Sequence, residues 1–212
     1  MKEYRIPTQD AFAEFIERRS RFIGYIFHTE TEEEAIQRIK EIREKHWDAT
    51  HNVYAYIIKD GATRFSDDGE PGGTAGMPVL QVLQREEMYN VTCVVTRYFG
   101  GILLGAGGLV RAYAHSAKIG LDAAGRSMKR VWSGIYMPCP YSWYERLKLE
   151  VAAFGGIIRN TDFGMDVEFD LLLPEAQTQP FLDRVFDISS GTIEGMITGQ
   201  EYRAFPIEGG TA

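Results

Sequence analysis

The run Val91-Thr92-Cys93-Val94-Val95-Thr96, continued by Arg97-Tyr98-Phe99-Gly100-Gly101-Ile102-Leu103-Leu104-Gly105-Ala106-Gly107-Gly108-Leu109-Val110-Arg111-Ala112-Tyr113, sets the architecture of the first half of the chain. Its opening six residues are almost continuously apolar, as expected of a central strand buried on both faces. A helical pattern from about Gly107 to Ala124 follows, with Leu109, Ala112, Tyr113, Ser116, Ala117, Gly120 and Leu121 on one face. Arg111, His115 and Lys118 share the opposite, polar face. The glycines between strand and helix make a junction where backbone N–H groups can approach a ligand. The helix dipole favours an anion there.

A second glycine-rich segment precedes this one: Asp67-Asp68-Gly69-Glu70-Pro71-Gly72-Gly73-Thr74-Ala75-Gly76. Its Gly, Pro and acidic residues cannot bury much apolar surface, so it reads as a loop. Outward from these two segments, Arg21 to Phe27 has the β-branched and aromatic content of a strand. Thr31 and Glu34 form a capping box before a helix carrying Ala35, Ile36, Ile39 and Ile42. Asn52 to Ile58 is a further strand, turned at Asp60-Gly61 into a return strand through Thr63 and Phe65. Pro78 suits the first turn of a helix with Val79, Leu80, Val82 and Leu83 on its apolar face.

A boundary is expected near Gly125 to Lys129, dividing the chain into domains 1–128 and 129–212. Past it, Val131 to Pro138 reads as a strand. Ser142 and Glu145 cap a helix that Gly155-Gly156 ends. Ile157-Ile158 and Met165 to Leu173 form an antiparallel pair turned at Asp162 to Gly164. A helix through Phe181, Leu182, Val185 and Phe186 closes at Gly191, and Thr192 to Ala204 is the last strand. The order βαββαβ is the ferredoxin-like pattern, so the fold class is α+β with two domains.

With 44% hydrophobic and 25% charged residues, the chain has the make-up of a soluble globular protein. Its net charge of −7 is uneven: residues 1–130 hold 18 Lys and Arg against 18 Asp and Glu, whereas residues 131–212 hold 5 against 12. The last third therefore lacks the clustered cations that a nonspecific polyanion grip requires. Cys93 and Cys139 sit in apolar contexts without Cys-x-x-Cys spacing, as expected of buried thiols in a reducing compartment. No signal peptide opens the sequence and no apolar run nears the ~18 residues of a membrane span, so a cytoplasmic location is expected.

The glycine junction fits no standard phosphate cradle. Gly100 to Gly105 has Walker A spacing, but Ala106 stands where Lys is required. A dinucleotide fingerprint would need a small residue at Val110. No cofactor is expected. Arg97 and Arg111, flanking the helix start, are candidates for an anion clamp, with Thr74, Tyr98, Gly100, Gly101, Gly105, Gly107 and Gly108 completing a binding set. In the bland alternative, Arg97 pairs with Asp67, Asp68 or Glu70 and locks the two loops together. His51, Asp67, Asp68 and Glu70 are the candidates for acid–base chemistry. No ligand-pair spacing supports a metal site among them, and a strand-end His51 bonded to backbone is the simpler reading. No nucleophile–base motif is visible, and Ser66 and Thr74 are the only nearby hydroxyls in the acidic loop.

Ser20-Arg21-Phe22-Ile23-Gly24, Ala49-Thr50-His51-Asn52, Asp67 to Pro78 and Val95 to Tyr113 together resemble the IMPACT family in its bacterial, YigZ-like form, over essentially the whole chain. The resemblance implies an N-terminal domain similar to the second domain of ribosomal protein S-five. It also implies a C-terminal ferredoxin-like domain similar to the last domain of elongation factor G. Eukaryotic relatives regulate translation through the activator of a kinase that senses uncharged tRNA. Some relatives carry Lys where Leu103 stands, so that amine is absent here. Two functional readings follow. The first is a translation-associated binding protein that contacts RNA or a ribosomal factor through the Gly/Arg junction. The second is a hydrolase acting on a small anionic or peptide substrate between the two loops.

Overall fold

A computed structural model describes residues 3–207. The chain divides into two compact units, one comprising Tyr4–Met128 with residues 204–207, the other Lys129–Arg203 with Glu3.

In the first unit the sheet order is β2 (Ala11–Glu17), β3 (Ser20–His28), β6 (Val91–Tyr98), β4 (His51–Ile57) and β5 (Thr63–Ser66), every neighbouring pair antiparallel. The apolar run Val91–Thr96 thus lies in the middle strand, buried throughout. Helices cover both faces, which is why β6 is apolar at consecutive positions rather than at alternate ones. Phe22, Ile26, Val53, Cys93 and Val95 meet α2 (Gly76–Arg85) and α3 (Ala106–Ala124) on one face. Ile23, Tyr25, Tyr56 and Val94 meet α1 (Glu32–Lys45) on the other. The alternation of Phe22 with Ile23, and of Tyr25 with Ile26, is the two-residue period of a strand.

Local signals explain most of the boundaries. Thr31 caps α1, its hydroxyl accepting from the Glu34 amide at 3.2 Å, while the Glu34 carboxylate accepts from the Glu30 amide at 2.7 Å. The apolar face expected of α3 is the face it buries. Two strands carry no clear signal in the sequence: β1 (Glu3–Pro7) and β2. Both cysteines are buried free thiols.

The second unit runs β7 (Arg126–Cys139), α4 (Tyr144–Ala153), β8 (Ile157–Phe163), β9 (Val167–Pro174), α5 (Glu175–Ile188) and β10 (Met196–Pro206). β9 pairs antiparallel with both β7 and β8, and β10 pairs with β7. Numbered within the unit, the order is 4-1-3-2, the ferredoxin-like arrangement. Val167, Phe169, Leu171 and Leu173 supply its core face. Gly155, at φ 66°, ends α4 in a Schellman turn, with Gly156 N–H to Val151 O at 2.8 Å and Gly155 N–H to Ala152 O at 3.0 Å.

Several boundaries differ from expectation. β7 starts at Arg126, five residues before the expected Val131. The Ser142/Glu145 capping box does not form, because a 3-10 turn over Tyr141–Trp143 leads into α4 without a side-chain cap. The β8–β9 turn falls at residues 164–166. β10 begins at Met196, because Ser189 Oγ holds the Ile193 amide at 3.2 Å in the preceding loop. No helix among the described residues is long and apolar enough to cross a membrane.

α3 lies unusually close to β3. A Cβ on Gly24 would stand 2.3 Å from the Ser116 carbonyl oxygen, and one on Gly120 2.8 Å from the Gly24 carbonyl oxygen. Backbone meets backbone at this crossing, so no side chain can move aside. Gly24→Ala is expected to lower the unfolding free energy by about 1–3 kcal/mol in urea titrations. An unchanged midpoint would contradict this packing.

Candidate functional site

Each acidic residue of the loop 67–76 has a structural partner, and the partners differ. Asp67 accepts from three backbone amides, Gly73 at 2.9 Å, Ala75 at 3.1 Å and Gly76 at 2.8 Å. It thereby serves the N-terminus of α2, whose own cap residue, Ala75, has no side-chain oxygen. Asp68 pairs with Arg43 at 2.6 Å and accepts from the Asn52 amide of β4 at 2.7 Å. Its carbonyl takes the Nδ1 proton of His51 at 2.7 Å. That bond sets the His51 tautomer and leaves Nε2 as the unprotonated ring atom.

Glu70 goes inward. It is 8% exposed, and its Oε1 accepts from Arg97 at 2.5 Å and from the Tyr113 hydroxyl at 2.7 Å. His51 Nε2 stands 3.8 Å from the same oxygen. Arg97, near the end of β6, has its guanidinium over the rings of Phe22 and Phe99 and a longer bond to Ser20 Oγ at 3.4 Å. Burial first, and the neighbouring Glu70 carboxylate second, push the Tyr113 pKa well above its ordinary value, so Tyr113 stays a donor. One carboxylate therefore joins the acidic loop, the central strand and α3. Of the acids Arg97 had been expected to choose among, Glu70 is its partner.

The glycine junction follows directly from Arg97. Gly100 presses against the β2–β3 turn: a Cβ there would stand 2.0 Å from the Arg19 carbonyl carbon, and its amide donates to Ser20 Oγ at 3.2 Å. Gly101 and Gly105 have φ of 82° and 72°, a conformation that only glycine adopts without strain. Gly105 caps α3 without a side-chain hydrogen bond. A Cβ on Gly107 would make only ordinary contact with the Arg111 guanidinium, at 3.6 Å, whereas one on Gly108 would stand 2.9 Å from Leu104 Cβ.

Two cavities open beside this loop. One, of about 380 Å³, is lined by His51, Glu70, Arg97, Phe99, Gly105 and Ala106 with apolar neighbours. The start of α3 faces it, and Leu103 stands at its rim, 79% exposed. The other, of about 280 Å³, holds Arg18, Arg111 and His115. Arg97 and Arg111 therefore do not meet in one clamp, and Leu104 borders both cavities. Thr74 is turned inward, its hydroxyl donating to the Pro71 carbonyl at 2.6 Å.

Tyr98 belongs to the opposite side of the sheet. There Tyr25 donates to His46 Nε2 at 2.7 Å, His46 Nδ1 donates to Tyr98 at 2.8 Å, and Tyr98 donates to Asp48 at 3.1 Å. Burial, then the charges of Lys45 and Arg21, lower the His46 pKa, which suits a neutral ring serving as both donor and acceptor. Among the described residues, no three His, Cys, Asp or Glu side chains gather as a metal site.

Sequence reasoning did not single out Arg18 and Arg19 at the hairpin tip, and it quoted Ser20 and Thr50 within family motifs without a role; the Thr50 hydroxyl accepts from the Phe99 amide at 3.0 Å. It read Tyr113 as packing, although a tyrosine on a buried helical face needs a hydroxyl partner.

Residues 18–121 match the model of the Impact N-terminal domain, and residues 138–192 match a domain of unknown function, DUF1949. The chain is 37% identical to IMPACT family member YvyE of Bacillus subtilis, over 84% of this chain and 83% of that one. It is 33% identical to IMPACT family member YigZ of Escherichia coli, over 92% and 97%. Protein IMPACT of Oryctolagus cuniculus is 35% identical over 47% of this chain and 33% of its own length. A crystal structure titled as a hypothetical protein superposes with a TM-score of 0.59 at 32% identity, covering 94% of this chain and 98% of that one.

Replacing Glu70 by Leu leaves a buried guanidinium and a buried hydroxyl without their acceptor. The expected loss is about 3–5 kcal/mol of unfolding free energy. Arg97→Met together with Glu70→Leu is expected to cost less than the sum of the two single changes, because neither charge is then stranded. Urea unfolding of the three variants checks this, and additive losses would contradict the pairing.

Proposed function

The chain belongs to the IMPACT family, and on that premise we propose that it is a translation-associated binding protein that contacts RNA or a ribosomal factor through the glycine junction. The observation that carries this reading is the 380 Å³ cavity at the start of α3. The first amides of a helix have no intrahelical partner, and Gly105 supplies no side chain to satisfy them. Together with the helix dipole they favour an anion. His51 and Arg97 line the same cavity, while exposed Leu103 and Phe99 offer apolar contact at its mouth. Arg97 acts here by position, because Glu70 already takes its charge.

A hydrolase reading has one observation behind it: His51 lines the cavity beside Glu70, with Nδ1 bonded to the Asp68 carbonyl and Nε2 left without a hydrogen-bond partner among the described residues. Among the described residues the nearby hydroxyls are already engaged: Ser66 accepts from the Asp68 amide at 3.1 Å, Thr74 donates to the Pro71 carbonyl, and Thr50, in the cavity wall, accepts from the Phe99 amide. A binding role asks nothing more of these residues than they supply.

Ala106→Glu tests the binding reading without touching the buried pair. A carboxylate in the first turn suits the dipole of α3, so folding is expected to be unharmed. The same carboxylate repels an anion in the cavity. Wild-type affinity for ribosomes or tRNA is expected to fall with salt, and the variant to bind about tenfold more weakly or worse. Equal binding by both proteins, or none by the wild type at low salt, would overturn the reading.

A further inference from the structure

The tip of the β2–β3 hairpin consists of Arg18 and Arg19, with Glu17 paired to Ser20. Both arginines have positive φ, 45° and 65°. A two-residue turn with positive φ at both positions is ordinarily Asn-Gly, since there the Cβ of most residues crowds the backbone carbonyl. The strained tip is also braced. Gly100 packs onto the Arg19 backbone without room for a Cβ, and Arg18 donates to the Leu103 carbonyl at 3.4 Å. Strain held by a close-fitting loop suggests a use for what the tip presents.

What it presents is positive charge with little to offset it. The first three turns of α3 bring Arg111 and His115 beside Arg18, around the cavity of about 280 Å³. His115 stands edge-on to Phe15 at 4.7 Å between centroids, which fixes the ring against the hairpin. Arg19 and Arg111 are exposed and form no hydrogen bond or ion pair among the described residues. Glu17 is the one carboxylate lining the cavity, and it pairs with neither arginine. Several other arginines of this unit are paired, Arg21 with Glu14, Arg38 with Asp10, Arg43 with Asp68 and Arg126 with Glu86, while Arg64 bonds only to the Thr63 carbonyl.

We propose that this cavity is a phosphate-binding subsite in which Arg18, Arg111 and His115 grip a phosphodiester of an RNA strand, with Arg19 adding charge at its rim. The identification of RNA as the source rests on the translation-associated reading above, while the phosphate chemistry does not. Guanidinium groups match phosphate oxygens in a planar fork, and a polyanion is the partner that rewards unpaired cations by releasing its counterions. The subsite lies on the other side of Leu104 from the cavity at the helix start. A strand crossing the glycine junction would therefore meet both.

Two variants of the full chain test this, Arg111→Ala and the double change Arg18→Asn with Arg19→Gly. The second gives the turn the residues its backbone favours, so its melting temperature is expected to rise while its binding falls. A merely structural role for the arginines would not separate those two effects. Binding of a single-stranded oligoribonucleotide is measured across a salt series. Each variant is expected to bind several-fold more weakly, with the slope of log K against log salt shallower by about 0.7 for every phosphate contact removed. Unchanged affinity and slope in both variants would overturn the proposal for RNA, even if Ala106→Glu still weakens binding.

A second arm uses inorganic phosphate alone, followed through the His115 ring signals by nuclear magnetic resonance. Saturable shifts in the wild type that disappear in Arg111→Ala uphold the subsite. No shift, or equal shifts in both proteins, overturns it. If the wild type binds phosphate but no RNA, the RNA part of the translation-associated reading fails and the subsite is assigned to free phosphate.

Discussion

The structure depends on a carboxylate at which three segments meet. Glu70 is buried, and its Oε1 accepts from both Arg97 and Tyr113. Those partners sit near the end of the central strand and at the start of the third turn of α3. A buried carboxylate costs several kcal/mol unless its charge is matched and its oxygens are bonded. The loop 67–76 must therefore fold over the strand end, because nowhere else offers Glu70 both a guanidinium and a hydroxyl. Once it does, Asp67 is free to hold the start of α2, and Asp68 is placed to orient His51.

This constraint divides the charged residues into those that hold the site and those that face outward. Arg97 is neutralised in place and orders the loop behind it, which Gly100 seats on the β2–β3 turn. Gly105 then starts α3 with uncapped amides at one cavity, and α3 carries Arg111 and His115 to the other. An anion-binding face built this way is rigid at its base, with its exposed cations supplied by the hairpin tip and α3. Residues 131–212, with 5 basic residues against 12 acidic, contribute few such cations.

Much of the frame was legible in the sequence because its signals are periodic. The six-residue apolar run gave β6, and spacing of three and four gave the buried face of α3. β2 escaped because Ala11-Phe12-Ala13-Glu14-Phe15-Ile16-Glu17 mixes strand alternation with strong helix formers, and an edge strand buries too little to break the tie. The partner of Arg97 was also out of reach. Three acids lie within four residues, and only the consumption of Asp67 and Asp68 by amides and Arg43 leaves Glu70 to turn inward. The separation of Arg97 from Arg111 reflects helix rotation: five residues past Ala106, α3 has turned Arg111 to the far side of Leu104. The hairpin tip left no trace, since Arg-Arg is not a recognisable turn sequence.

The central claim is that the acidic loop and the glycine junction form one cooperative unit closed by Glu70. Native-state hydrogen exchange of the wild type and Glu70→Gln tests it most directly. The amides of Gly73, Ala75 and Gly76, held by Asp67, report on the acidic loop, and those of Phe99 and Gly100, held by Thr50 and Ser20, report on the junction. The account predicts that both groups open with one shared free energy in the wild type and lose protection together in the variant. If the acidic loop loses protection while Phe99 and Gly100 keep theirs, the two segments are independent and the claim fails.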